Sequence, residues 1–390
     1  MRPWIALCFI ALGASVAQAF GRFTYGVLLP AIRDDLGITN TLAGTISAIN
    51  VGGYLFGTIA VAWAASHIQL LSILRIGLLL TTTGLLLAAT SGTPFILTLG
   101  LLLTGIGGAM VWIPAPIIAA DTVPQQHRSQ AVGLMGSGIG LGIVFTGFLS
   151  AHMRGNYGDA GWSNVYWIDA TIAVLALLGL VLLVRHSQGQ ISNKGGIGGF
   201  GSLRRMRGWL PLTLAYSAFG FMYLLIIGFL TTRLEDDSGW SASSAAYAFT
   251  IMGIAMVLGG PISIAVNKRF GARTSIMLVF GLWTLLTLVV LGGWKTPTLL
   301  SIAGLGILFT SLPALVTLYV VENTSGNDYG PAYSAITLAF GIAQTISPQI
   351  GGLIADATGS FTWVFILSSA IGVLGLLASR KLPNDPAHPD

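Results

Sequence analysis

Stretches of roughly 18 to 28 residues almost free of charge recur from one end of the chain to the other. A helix of that length crosses about 30 Å of hydrocarbon. Twelve such segments can be drawn, at 4–33, 42–66, 70–90, 94–119, 129–151, 163–184, 209–232, 243–266, 272–292, 297–321, 329–356 and 360–380. Composition agrees: 54% of residues are hydrophobic and only 8% are Asp, Glu, Lys or Arg, where a soluble domain carries about 25%. The expected class is an all-α polytopic membrane protein.

The distribution of basic residues tests that count. With the N-terminus in the cytoplasm, Arg2, Arg75, Arg128, Arg185, Lys194, Arg204, Arg205, Arg207, Lys268, Arg269, Arg273, Arg380 and Lys381 fall inside. Arg33, Arg154, Arg233 and Lys295 fall outside. This bias follows the positive-inside rule and requires an even number of crossings, with both termini cytoplasmic. The net charge of +5 therefore reflects orientation, and nucleic-acid binding is not expected. Cys8 is the single cysteine, which excludes an intramolecular disulfide framework and suits a small apolar packing residue.

Residues 185–208, "RHSQGQISNKGGIGGFGSLRRMRG", are rich in Gly and in polar and basic residues. They read as a flexible cytoplasmic linker between two units, 1–184 and 209–390. The units resemble each other: "TGFLSAHMRG" (146–155) aligns with "IGGLIADATG" (350–359), placing Gly147 on Gly351, Ala151 on Ala355 and His152 on Asp356. More loosely, "PAIRDDLGIT" (30–39) is echoed by "TTRLEDDSGWS" (231–241). Parallel six-helix repeats around a midplane site are a transporter architecture. The "AQA" at 17–19 imitates a signal-peptide cleavage site, but cutting there would leave too few apolar residues before Pro30 to span, so an uncleaved first helix is expected.

Arg22 stands inside the first apolar segment, in "SVAQAFGRFTYG" (15–26). A charge near the bilayer centre costs roughly 2.5–3.5 kcal/mol on insertion scales, which makes it a functional candidate. Gln18, Arg22 and Tyr25 share one face of a regular helix, at i, i+4 and i+7. Asn50 and Tyr54 repeat the spacing in the second segment. Tyr216, Phe219 and Tyr223 form a stripe in the seventh, and Tyr333, Thr337, Phe340, Gln344 and Ser347 run along one side of the eleventh. No Asp or Glu lies at matching depth in the segments expected around the cavity, so an unpaired guanidinium invites an anion from outside. The expected binding set is Arg22, Gln18, Tyr25, Asn50, Tyr54 and Gln344, with Trp112, Tyr216 and Tyr223 as walls.

The remaining membrane carboxylates are shallower. Asp121 and Glu322 end the fourth and tenth segments on the cytoplasmic side, and Asp121 is placed to pair with Arg128. Asp356 closes the eleventh outside as a cap or gate, and Asp169 lies deepest, in a sixth helix expected on the scaffold side. The run "GLMGSGIGLG" (133–142) lacks a phosphate loop's strict spacing and sits inside an apolar segment, where small residues let helices approach. No Walker, H-E-x-x-H or G-x-S-x-G motif occurs, and His67, His127, His152, His186 and His388 lie near helix ends or in tails. No metal, no cofactor and no enzyme activity is expected.

Several motifs together resemble the major facilitator superfamily. "GGPISIAVNKRFGAR" (259–273) is similar to the family's loop between second and third helices, with Arg269, Gly271 and Arg273 in place and Lys268 where the family has an aspartate. The first-half copy, "GTIAVAWAASHIQLLSILR" (57–75), lacks both the aspartate and the basic pair. "FGRFTYGVLLP" (20–30), "SAINVGGYLFG" (47–57), "RSQAVGLMGSGIGLGIVFTGFL" (128–149) and "AQTISPQIGGLIADATGSFTWVF" (343–365) resemble the YbfB-type branch over nearly the whole chain. The resemblance implies two pseudo-symmetric six-helix bundles in a bacterial inner membrane, working by alternating access. Asp121, Arg128, Lys268, Arg269, Arg273, Glu322 and Asp356 are then the expected gating residues.

The leading expectation is a monomeric secondary transporter of a small organic anion such as a monocarboxylate, with membrane lipid as its surroundings. Bringing a negative charge into a cell that is negative inside costs about 2.3 kcal/mol per 100 mV. Uptake therefore needs a proton or other cation alongside, whereas export does not. Two rivals stand beside it: a proton-coupled exporter of apolar or cationic compounds, and a membrane sensor or assembly protein that transports nothing.

Overall fold

The structure is a computed structural model that describes residues 3–184 and 199–383. Arg2, Arg185, His186, Lys194, His388 and most of the expected linker lie outside the described residues. Among the described residues the chain is helical and contains no strand. Eleven stretches are long and apolar enough to cross a membrane, and one of them holds two helices, which makes twelve spans.

In chain order these are α1 (Trp4–Leu36), α2 (Asn40–Ala64), α3 (Leu70–Ala89), α4 (Pro94–Thr122), α5 (Arg128–Tyr157) and α6 (Trp162–Leu183). The second half has α7 (Trp209–Asp237), α8 and α9 within Ala242–Leu291, α10 (Lys295–Asn323), α11 (Asp328–Thr358) and α12 (Thr362–Ser379). The boundary between α8 and α9 is Gly271, whose φ of 76° and ψ of 164° lie outside the helical region and favour glycine. A short helix, Phe200–Arg205, precedes α7 and rests against α11. Because the spans alternate, both described chain ends lie at one face, called here the terminal end; the turns at 37–39, 158–161, 238–241 and 359–361 lie at the far end.

Backbone approach through small residues builds each bundle. A Cβ on Gly105 of α4 would lie 2.0 Å from the Asn50 carbonyl oxygen of α2. In the second half, a Cβ on Gly306 of α10 would lie 2.4 Å from the Met252 carbonyl oxygen of α8. The two contacts are counterparts in the fold, each joining the second helix of a half to the fourth. So are two arginine ties at the terminal end: Arg75 of α3 donates to the Val184 carbonyl after α6 (2.5 Å), and Arg273 of α9 donates to the Arg380 carbonyl after α12 (2.6 Å). Both hold the last carbonyls of a helix, which have no intrahelical partner.

The bundles meet along α2 with α11, α5 with α8, and α1 with α7. Close approaches gather toward the far end. A Cβ on Gly44 would lie 2.2 Å from the Pro348 oxygen, and one on Gly352 would lie 2.1 Å from the Asn40 oxygen. Toward the terminal end, Gly133 and Gly136 of α5, Gly260 of α8 and Gly330 of α11 face open space.

The first helix departs from expectation. Its apolar run predicts one continuous helix, but Val16–Phe20 form a π-helical turn and α-helix resumes only at Thr24. The Gly21 amide bonds the Val16 carbonyl five residues back (3.0 Å), and the carbonyl of Gly21 turns out of the ladder. Glycine is required there because a Cβ would lie 2.9 Å from the Ala17 oxygen and 3.2 Å from Thr104 Cβ.

Candidate functional site

Arg22 sits in this interruption of α1, partly buried, at mid-length of a span. π-turns inside helices concentrate at functional sites, because the freed backbone must be supported from elsewhere. Here the Gly21 carbonyl accepts from Asn50 Nδ2 (3.0 Å) and from Thr104 Oγ1 (2.8 Å). Asn50 Nδ2 also donates to the Leu101 carbonyl (2.8 Å) and to Thr104 Oγ1 (2.9 Å). The break is thereby fastened to α2 and α4.

The guanidinium faces the other bundle. Its Nη2 donates to the Tyr223 hydroxyl of α7 (3.2 Å), and its central carbon lies 5.1 Å from the Tyr54 ring centroid. That is cation–π range. Its Nε is buried with no hydrogen-bond partner, and among the described residues no carboxylate comes within salt-bridge distance of it. Gln344 of α11 is 3% exposed, and its amide is directed at the Tyr223 hydroxyl without a closer acceptor. Two donors thus converge on one tyrosine hydroxyl, and Arg22 Nε is left over. Groups of this kind call for an explanation, such as water, an ion or a ligand.

Aromatic rings close the C-terminal side. Tyr216 stacks on Phe340 at 4.5 Å, Phe219 on Tyr223 at 5.2 Å, and Phe309 of α10 meets Tyr223 edge-on at 5.1 Å. Phe309 also reaches Phe23 of α1, at 6.1 Å. The predicted stripes on α7 and α11 therefore converge, and Phe309 is a member that sequence spacing missed.

Two residues of the expected binding set are engaged elsewhere, and a third, Gln18, is shared between Tyr54 and a backbone carbonyl. Tyr25 donates to the Ala43 carbonyl of α2 (3.0 Å), because the π-turn rotates it away from the face a regular helix would give it. Asn50 is spent on the helix break, with its amide nitrogen on three acceptors. Gln18 donates to the Gly108 carbonyl of α4 (3.4 Å). Trp112 is half-buried at the end of the first helical stretch of α4, just before Pro114 interrupts it. The residues brought together are Arg22, Tyr54 with Gln18 beside it, Tyr223, Gln344 and, through Phe340, Tyr216.

The expected gating residues divide. Asp121, Arg128, Lys268, Arg269 and Glu322 are exposed at the terminal end, and Arg273 bonds within its own bundle. Asp356 joins the bundles: its two oxygens accept from the Asn40 and Thr41 amides at the start of α2 (3.0 and 2.7 Å). It caps a helix N-terminus across the seam. Two further ties accompany it, neither anticipated as a pair. Arg154 of α5 forms a bidentate bond with Glu235 of α7 (2.6 and 2.8 Å) and also holds Asp159. Arg33 of α1 bonds both oxygens of Asp236. Charged residues of both signs cluster legibly in these loops, but only the folded chain shows which meet.

Known proteins agree with this architecture. The chain is 23% identical to the uncharacterized MFS-type transporter YtbD of Bacillus subtilis (strain 168), over 89% of each chain. It is 25% identical to the class E tetracycline resistance protein of Escherichia coli, covering 81% of this chain and 80% of that one. It is 23% identical to the probable sulfoacetate transporter SauU of Cupriavidus necator, covering 92% and 89%. The crystal structure of a bacterial homolog to the human lysosomal transporter Spinster, in an inward-facing and unoccupied conformation, superposes with a TM-score of 0.80 at 15% identity and full coverage of both chains. Residues 14–380 match the family described as "Uncharacterised MFS-type transporter YbfB", and with its twelve spans in two bundles the chain belongs to that branch of the major facilitator superfamily.

Proposed function

We propose that this MFS-type transporter carries a small organic anion, such as a monocarboxylate, with Arg22 as the receptor for its negative group. The observation that supports this is the guanidinium's missing counterion: a buried unpaired charge is unfavourable, and Arg22 Nε lacks an acceptor while the Gln344 amide has only the shared Tyr223 hydroxyl. A carboxylate between them would accept from both donors, with Tyr54 beneath the charge and the rings of Tyr216, Tyr223 and Phe309 around the organic part. Arginine's fork suits a planar carboxylate. The relative SauU, a probable sulfoacetate transporter, points to the same class of cargo.

The proposed cycle is alternating access, with the bundles rocking about Arg22. The ties at the far end describe a conformation closed there. Applying the positive-inside rule puts the terminal end in the cytoplasm of a bacterial inner membrane, so this conformation opens inward.

One observation favours a second reading. The aromatic cluster of α7, α10 and α11 suits an apolar or cationic compound, and a tetracycline resistance protein is among the relatives. Thermal stability of the purified chain, wild type beside Arg22→Ala, separates the two. Small carboxylates and inorganic anions would be compared with lipophilic cations. Stabilisation by a carboxylate that vanishes in Arg22→Ala is the expected result; stabilisation by lipophilic cations in both proteins would replace the anion reading with the exporter.

A further inference from the structure

Behind the break in α1 lies a polar cluster that the anion site does not use. Asp169 of α6 is fully buried, and its Oδ2 accepts from Thr24 Oγ1 (2.9 Å), the residue at which α1 becomes helical again. Thr24 Oγ1 is 3.4 Å from Thr146 Oγ1 of α5. Asp169 Oδ1, Tyr166 Oη and Ser150 Oγ are all buried without a partner. These positions share faces: Tyr166 is one turn before Asp169 on α6, and Ser150 one turn after Thr146 on α5.

Helices α1, α3 and α5 surround this side of α6. Tyr25 of α1 neighbours Tyr166, and α5 offers the hydroxyls of Thr146 and Ser150. On α3, Arg75 is occupied at Val181 and Val184, roughly 18 Å along α6 from Asp169. Toward the far end, Arg154 is held by Asp159 and Glu235, and Asp35 accepts from the Trp162 indole. Among the described residues no cation balances Asp169. A carboxylate buried without a cation is unfavourable, and a bound proton would relieve it.

From this juxtaposition we infer that Asp169 is a proton-binding site whose occupancy is linked to anion binding at Arg22. The two groups sit on either side of one helix break, since Arg22 precedes Thr24 by two residues. The positive field of an empty Arg22 disfavours a proton at Asp169. An anion that neutralises Arg22 removes that field and raises proton affinity. By reciprocity, a proton at Asp169 raises anion affinity by the same factor. The sign is that of co-transport in one direction, one proton with one monoanion, and no net charge crosses. This linkage rests on the anion reading above, whereas the proton site stands on the cluster alone.

The test is therefore in two parts, on the full chain in liposomes. Infrared difference spectra of the ligand-free protein, recorded between about pH 5 and pH 10, span the range into which burial moves carboxylates. The expected result is a protonated-carboxyl stretch that titrates in this range and is missing from Asp169→Asn. Thr24→Val, which removes only the donor, shifts the same band and assigns it even where Asp169→Asn fails to fold. A spectrum with no titrating band, or one unchanged by both substitutions, overturns the proton site. The second part measures proton uptake from weak buffer on adding lactate, at a pH above the midpoint of that band, where Asp169 is ionised before lactate arrives. Uptake near one proton per lactate bound in wild type, and none in Asp169→Asn with binding retained, is expected; equal uptake in both overturns the linkage. Failure of lactate and the other carboxylates to bind wild type counts against the anion reading and leaves the infrared test of the proton site intact.

Discussion

Arg22 and Arg154 are both removed from solvent, and they differ in what surrounds them. Arg154 has two carboxylates, Asp159 and Glu235, on its guanidinium, and it is 4% exposed. Arg22 has a tyrosine hydroxyl, an aromatic face and a donor left over. The first is complete and joins α5 to α7; the second is incomplete and lies where the bundles meet in mid-membrane. Burial alone does not distinguish the two charges; the counterion that Arg154 has and Arg22 lacks does.

The largest effect should come from breaking the complete site. Glu235→Ala leaves Arg154 buried with only the exposed Asp159, and removing one partner of a buried pair typically costs 3–5 kcal/mol. The far-end-closed conformation should lose that preference. Labelling of a cysteine placed at Ser243, on the α5–α8 seam, by an impermeant maleimide in a Cys8→Ser background should rise strongly; unchanged labelling would mean that the tie does not hold the seam.

Next is the incomplete site. Arg22→Ala should weaken carboxylate binding by about 10- to 150-fold, the range of a charge-assisted hydrogen bond worth about 1.5–3 kcal/mol. Its unliganded melting temperature should stay level or rise, because an uncompensated charge is gone. A marked fall in the melting temperature of Arg22→Ala without ligand would place Arg22 with Arg154, as a structural residue. Arg22→Lys should restore binding only in part, for lack of the fork.

Asn50→Ala sharpens the comparison, since it acts on the support of Arg22 and not on its charge. Loss of the three Asn50 bonds should cost about 1–3 kcal/mol of stability, seen as a lower melting temperature, while anion selectivity is unchanged. The smallest effect is expected from Asp356→Asn. Removing a charge from the α2 N-terminus is worth about 0.3–1 kcal/mol, and the difference should shrink in high salt. A salt-independent loss would show that geometry, not charge, secures that cap.

The twelve spans were legible because hydrophobic length alone sets them, and the two bundles because 146–155 and 350–359 repeat. Arg22 was legible for the same reason, as a charge where none belongs. Its surroundings were not. A π-turn leaves no mark in an apolar run without proline, so spacing rules for a regular helix assigned Tyr25 to the cavity when it bonds to Ala43. Gly21 carried the only hint, and one glycine among 52 decides nothing. The far-end pairs were hidden differently: Arg154 and Glu235 are 81 residues apart, and neither loop says which charge of the other it will meet. Asp169 was visible but assigned to scaffold, because its contact with Thr24 depends on where α1 resumes.

The carbonyl of Gly21 also has a history in time. Its two donors, Asn50 and Thr104, are synthesised 29 and 83 residues after it. When α1 first enters the membrane neither exists, and an unsatisfied carbonyl in hydrocarbon is costly. The newborn helix must therefore enter unbroken, with Arg22 reaching toward a headgroup or water, and acquire its break only once α4 has followed it in. The surroundings of Arg22 are thus assembled by helices that arrive after it, and a chain halted before Thr104 should hold α1 as a continuous helix.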